Sequence, residues 1–394
     1  MSINALAPLR ERRRNPLRSL EEYGQSVWLD YIRRSLITSG ELQRLVDEDG
    51  LSGVTSNPAI FEKAITSSGD YATAIADLAE QGHLDAKAIF EELAILDVQA
   101  AANVLRQVYY HTHYRDGYVS LEVAPSLAHD TSGTIVEARR LWQRLSRPNV
   151  MIKVPATREG IDAIRALTAE GINVNATLLF SILMYEHVAN AYIEGLQEFA
   201  RRGGDLTRVS SVASFFISRI DGVVDADLTA RMQQSQNSEE RLRLGRMRGR
   251  VAIANARLAY QRYLTIYESP RWRDLSRLGA QTQRLLWAST STKNLEYRDV
   301  VYVEELIGAD TITTIPPVTF DAFRDHGEAR ASLIDSLQAA ALTLQELDAL
   351  RISMAEIADQ LLDDGVAAFR GAFEALLTSI ERRRIAAATP ELRA

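Results

Sequence analysis

NVMIKVPATREGIDAIRALTAEGINVNA, residues 149–176, holds one complete structural unit and sets the reading of the rest of the chain. It begins with NVMIKV (149–154), an apolar run rich in β-branched residues. It continues through a segment with apolar positions at Ile161, Ile164 and Leu167, and ends in a second β-rich run, GINVNA (171–176). Period-two and continuous apolar runs read as strands, and apolar spacing of three and four reads as an amphipathic helix. A strand, a helix and a strand in so short a span are a crossover between parallel neighbours.

Working outward, six further runs have the same character: VWLDYI (27–32), LSGVTS (51–56), YVSLEV (118–123), RVSSVAS (208–214), RLLWAS (284–289) and DTITTI (310–315). Helix-period segments separate them, among them AKAIFEELAILDVQAAANVLRQV (86–108) and LLFSILMYEHVANAYIEGLQEFA (178–200). Eight strand–helix units in one chain point to the α/β class and a closed (β/α)₈ TIM barrel with additional helices. An open doubly wound sheet is the competing architecture, but no glycine-rich phosphate loop follows the first strand. Residues 1–18, polar and Arg-rich, read as a flexible N-terminal arm. Residues 19–394 read as a single barrel domain with a helical insertion at 222–280 and C-terminal helices at 320–387.

Composition narrows the chemistry. The chain has no cysteine, which excludes thiolate nucleophiles, disulfides, iron–sulfur clusters and Cys-ligated zinc. A net charge of −7 argues against a general nucleic-acid binder. The Arg-rich stretch 241–250 is more simply a solvated helical face beside Glu239 and Glu240. No apolar run approaches the roughly 20 residues that cross a bilayer, and the basic start has no apolar signal core behind it. A cytoplasmic protein with no membrane partner is expected. The chain ends in AATPELRA at residue 394, and no second, fused activity is expected. Its oligomeric state stays open, since the helices at 222–280 and 320–387 could serve homo-oligomer assembly or barrel cover.

Only four lysines (Lys63, Lys87, Lys153, Lys293) stand against 41 arginines. Arginine replaces lysine for solubility and ion pairing, but its guanidinium cannot act as an amine nucleophile. Lys153 interrupts the apolar run VMIKVP. Desolvation lowers a lysine's pKa, and a neutral amine in an apolar pocket attacks carbonyls. The ordinary alternative is a structural lysine paired with Glu122 or Asp30. Those two acids, lying within YVSLEV and ending VWLD, suit proton transfer beside such an amine.

Other positions carry two readings. Asn57 before Pro58 has the form of a helix cap, as do Asn175 and Thr177 before LLFSILM, and capping can coexist with substrate contact at a barrel rim. Arg219 in SFFISRID, with Ser289 and Lys293 in WASTSTKN, supplies donors suited to a phosphate; the alternative for Arg219 is a salt bridge to Asp221. His111 and His113 precede the third strand, on the face opposite the expected site, and His129 and His187 join no cluster, so no metal is expected.

Taken together, SLEEYGQSVWLDYIRRS, GVTSNPAIFEKAI, YVSLEV, VMIKVPAT, NVNATLLFS and ASFFISRIDGVVD resemble the transaldolase family in its longer bacterial form, over about residues 15–385. The resemblance implies a (β/α)₈ barrel with the Schiff-base lysine, Lys153, on its fourth strand. It implies Asp30 as the acid/base at the substrate hydroxyl, Asn57 and Asn175 as ligands of the dihydroxyacetone hydroxyls, and Glu122 and Thr177 as holders of a proton-shuttling water. Ser214 and Phe216 would line the pocket. Arg219 and Ser289 would bind phosphate; shorter relatives carry an arginine where this chain has Ser291, and Lys293 is the substitute.

The implied reaction moves a dihydroxyacetone unit from fructose 6-phosphate or sedoheptulose 7-phosphate to an aldose phosphate, with no cofactor. Two alternatives stand beside it: an aldolase releasing free dihydroxyacetone, and a barrel that binds sugar phosphates without chemistry. In the related fructose-6-phosphate aldolases, the Glu122 position looks like glutamine and the Phe216 position like tyrosine.

Overall fold

All eight β-rich runs become strands. A computed structural model describes residues 15–388. Its strands are β1 (Gln25–Asp30), β2 (Leu51–Thr55), β3 (Tyr118–Glu122), β4 (Val150–Pro155), β5 (Val174–Leu179), β6 (Ser211–Phe216), β7 (Arg284–Ala288) and β8 (Thr311–Ile315). They pair in parallel in chain order, and β8 returns to β1 to close the barrel, which excludes the open doubly wound sheet. One hydrophobic cluster, running from Leu17 to Ile380, joins barrel and helices.

The fifth strand departs from expectation. Leu178 and Leu179, read as the opening of a helix, belong to β5, and the helix Ile182–Arg201 starts only after Ser181, whose side chain accepts from Met184 N. A strand buried on both faces is as continuously apolar as a buried helix, so periodicity cannot place that boundary. It follows that neither Asn175 nor Thr177 is a helix cap; both lie within a strand.

The N-terminal boundary also shifts. Residues 1–14 of the expected arm lie outside the described residues, but residues 15–18 are ordered structure. Asn15 caps the helix Pro16–Glu22 through Leu17 N, and Leu17 and Leu20 are fully buried. The insertion between β6 and β7 consists of helices Ser218–Gln234, Ser238–Met247, Val251–Tyr267 and Pro270–Arg277. Its Arg-rich part is a surface ion-paired face: Arg243 meets Glu346, and Arg248 lies 2.7 Å from Glu296. The C-terminal region contains helices Pro317–His326, Leu337–Ala349 and Met354–Ala388. No helix among the described residues is long and apolar enough to cross a membrane.

Side chains fill the N-terminal end of the barrel. Arg284 pairs with Asp116 at 2.9 Å with both nearly buried, and Trp28 Nε1 donates to the same carboxylate at 3.0 Å. The Trp28 ring occupies the space where a Cβ on Gly53 would lie, 2.3 Å away, so this strand position accepts only glycine. His111 and His113 sit at this end, beside Gly24 and Asp116, as their place ahead of β3 implies. The cavity that matters for chemistry is at the other end, where the strands finish and the helix Met354–Ala388 crosses.

Candidate active site

Parallel pairing fixes which polar residues meet. Glu122 on β3 is opposite Lys153 on β4, and Lys153 is opposite Asn175 on β5. Across the barrel, Asp30 on β1 is opposite Thr55 on β2. Because alternate strand residues point inward, these groups converge on the C-terminal mouth. A cavity of about 200 Å³ opens there, lined among others by Asp30, Asn57, Lys153, Ser214, Phe216, Arg219, Ser289, Ser291 and Lys293. Glu122, beside the lysine, and the buried Asn175 and Thr177 on β5 are not among the residues of that wall.

Lys153 is 3 % exposed, whereas Lys63 and Lys293 are exposed and the part-exposed Lys87 bridges Glu91 and Glu137. Its Nζ donates to the carbonyl of Ser56 at 3.1 Å and lies 3.4 Å from Glu122 Oε2, a charge contact without hydrogen-bond geometry. The expected pairing with a carboxylate is thus present, and so is an opening onto the cavity. Among the described residues neither Glu122 oxygen has a hydrogen-bond partner, and the Thr177 hydroxyl is likewise buried and unpaired. Unpaired buried polar groups are costly, and an unpaired carboxylate beside the amine is suited to a polar ligand such as water. Burial pushes the Glu122 carboxyl up to about 7, against the pull of Lys153, so it can carry a proton at neutral pH.

Asp30 keeps some surface toward the cavity and is enclosed elsewhere. Burial raises its pKa, with Lys153, the Thr55 hydrogen bond and Arg219 acting in the opposite direction. Thr55 Oγ1 donates to Asp30 Oδ1 at 2.7 Å, and its contact with Thr314 Oγ1 at the same distance must then be accepted from Thr314, since a hydroxyl has one proton. Thr55 and Thr314 therefore orient the acid. Neither is among the residues that the sequence motifs single out, although each interrupts a strand with a hydroxyl.

Asn57 accepts from Ile60 N at 3.0 Å and caps the helix Pro58–Thr66 while lining the cavity, so the two readings of that residue coexist. Asn175 is held by Ser214, whose hydroxyl donates to its Oδ1 at 2.7 Å, and its amide donates to Ser120 Oγ at 3.0 Å. Arg219 does not pair with Asp221, whose carboxylate is occupied by Ala252 N and the Tyr302 hydroxyl. Its guanidinium stacks over Phe216 at 5.1 Å. Among the described residues it has no hydrogen-bond or ion-pair partner. Burial draws its pKa down, while Asp30, Asp364 and Glu122 hold it up. A mostly enclosed guanidinium with unused donors, facing Ser289, Ser291 and Lys293, suits a bidentate anion such as a phosphate.

Two backbone positions beside these groups are in the left-handed region: Leu178, at an irregularity in β5 next to Thr177, has φ 63°, and Ser289, directly after β7, has φ 55°. Such conformations cost of order 1–3 kcal/mol and concentrate where function demands them.

The family model described as transaldolase/fructose-6-phosphate aldolase matches residues 27–380. The chain belongs to this family. It is 45% identical over 372 residues to a protein named transaldolase 2 from Nostoc sp. (strain PCC 7120), covering 93% of this chain and 97% of that one. A transaldolase of Thiobacillus denitrificans is 44% identical, covering 93% of this chain and 99% of the relative. Transaldolase 1 of Streptomyces coelicolor is 43% identical over 93% and 94% respectively. Family membership and the barrel agree with the resemblance carried by the six sequence motifs. The aromatic Phe369, from the C-terminal helix, is a cavity residue that no motif contains.

Proposed function

We infer that the protein is a transaldolase, transferring dihydroxyacetone between sugar phosphates through Lys153. The observation that carries this reading is a buried strand lysine at the barrel mouth, 3.4 Å from a carboxylate able to hold a proton near neutrality, in a cavity also lined by a guanidinium that has no hydrogen-bond or ion-pair partner among the described residues. Names of relatives along nearly the whole chain support the same activity.

In this account Arg219, with Ser289 and Lys293, holds the phosphate of fructose 6-phosphate or sedoheptulose 7-phosphate. Asn57, Asn175 and Ser214 serve the hydroxyls of the three carbons to be transferred. The amine of Lys153 adds to the C2 carbonyl, and Glu122, with Thr177, supplies the proton that lets the carbinolamine hydroxyl leave as water. Asp30 takes the C4 hydroxyl proton as the C3–C4 bond breaks, its electron pair flows into the iminium, and an aldose phosphate departs. The enamine on Lys153 then adds to an acceptor aldehyde, such as erythrose 4-phosphate or glyceraldehyde 3-phosphate, and hydrolysis frees the new ketose phosphate. The iminium serves as the electron sink. The substrates are cytoplasmic metabolites, and we assign the protein to that compartment.

Borohydride reduction in the presence of fructose 6-phosphate tests the reading. Intact mass should rise by one reduced dihydroxyacetone unit at a single site, and Lys153→Arg should abolish the adduct, because arginine offers no neutral amine. An undiminished adduct in that variant would put the nucleophile elsewhere.

A further inference from the structure

The 35-residue helix Met354–Ala388 packs against β5, against the helix Pro58–Thr66 that follows β2, and against the helix Ser218–Gln234 that follows β6, so it spans the barrel mouth. Residues 365, 369 and 373, spaced four apart, form one face toward the site. At Gly365 the helix comes so close to β5 that an added Cβ would lie 2.8 Å from Leu178 Cδ2 and 3.5 Å from Arg219 Nη1. Phe373 meets Phe90 edge to face at 5.5 Å, and Phe90 meets Phe61 at the same distance. Between these two anchors Phe369, 4 % exposed, enters the cavity wall with its ring centroid 5.6 Å from Lys153 Nζ.

We propose that Phe369 is a specificity-determining residue: the roof over the Lys153 adduct that offers no proton to C3 of the three-carbon enamine and so leaves it for an aldehyde acceptor. The proposal rests on the transaldolase reading. Release requires the enamine to take a proton at C3, giving the iminium. Water must then add at C2 with loss of a proton, and the C2–N bond must break as the nitrogen recovers one. Free dihydroxyacetone and the lysine amine result. The aromatic ring carries no proton to give and no polar group to hold a water at C3; hydrolysis at C2, which ketose release also requires, is left to the polar side of the site. Its face also favours the positive charge that the iminium places at Nζ, within the roughly 6 Å over which such attraction operates. The aldehyde acceptor is held by its own phosphate at Arg219 and needs no hydrogen bond from the roof.

The test compares the parent with Phe369→Tyr, Phe369→Leu and Leu376→Ala. Leu376, fully buried on the same helix and outside the cavity, reports on helix docking alone. The readouts are the borohydride adduct mass and the ratio of dihydroxyacetone released without acceptor to product transferred to erythrose 4-phosphate. Phe369→Tyr should form the adduct and raise the ratio about tenfold, the equivalent of one new hydrogen bond to water. Phe369→Leu, which opens space without adding a polar group, should raise it less, and should still do so if the tyrosine variant does not fold. Leu376→Ala should leave the ratio at the parental value. Normal adducts with unchanged ratios in both Phe369 variants overturn the roof and leave the transaldolase reading intact. A rise of the same size in Leu376→Ala overturns it too, since loosening the helix would then suffice. No adduct in the parent removes the transaldolase reading and the roof with it.

Discussion

Among four lysines only Lys153 is buried, and the scarcity of lysine marks it out in the sequence alone. The acids around it divide the work by position: Glu122 is its register neighbour on β4's flank, while Asp30 faces the cavity from β1. Asp30→Asn should therefore still form the borohydride-trappable adduct, yet turn over about 10²- to 10⁴-fold more slowly, the usual contribution of a positioned acid or base. Mass spectrometry and steady-state rates on one preparation check this; normal turnover, or no adduct, would break the division of labour. At this scale the sequence shows residue types but not their supports. Thr55 reaches Asp30 from the neighbouring β2, but Thr314 backs Thr55 only because β8 closes onto β1, a pairing between the chain's two ends that local pattern does not specify.

Elements carry functional groups through their ends. Thr177 lies at the irregularity in β5 beside Leu178, and the apolar LLF that conceals the strand's end is also why periodicity predicts a helix there. Asp221, 1 % exposed, joins two helices of the insertion after β6 to the helical segment between β7 and β8, accepting from Ala252 N at 2.8 Å and from the Tyr302 hydroxyl at 2.9 Å. Burial pushes its carboxyl up to about 7. A folded-state pKa above the unfolded value of about 4 means that the folded protein holds this proton more tightly. The resulting stabilisation is complete below about pH 4 and is lost as pH rises through 7, by at most a few kcal/mol. Melting temperature should thus fall between pH 5 and pH 8, and Asp221→Asn, neutral at both, should reduce that fall. An unchanged difference in the variant would mean that Asp221 is ionised throughout.

For the whole molecule, the count of eight units and the order of motifs make the barrel and the rim residues on β1 to β7 legible, because each lies within or just after its own strand. What local pattern does not show is the contribution of the C-terminal helix. Its long apolar face is spaced like any packing face, and only tertiary contact reveals that Phe369 turns toward Lys153 while Phe373 turns toward Phe90. The cavity has a largely polar lining, but Phe369 of this helix and Phe216, itself 5.3 Å from Phe180, add two aromatic rings that offer no proton donor to an adduct on Lys153. The central claim is that the adduct waits for an acceptor. The direct measurement is consumption of fructose 6-phosphate by the parent enzyme with and without erythrose 4-phosphate, repeated for Phe216→Tyr. Transfer predicts rapid consumption with acceptor, little without it, and a higher acceptor-free rate in the tyrosine variant; equally fast consumption by the parent in both conditions would contradict it and assign the protein to the aldolase branch of its family.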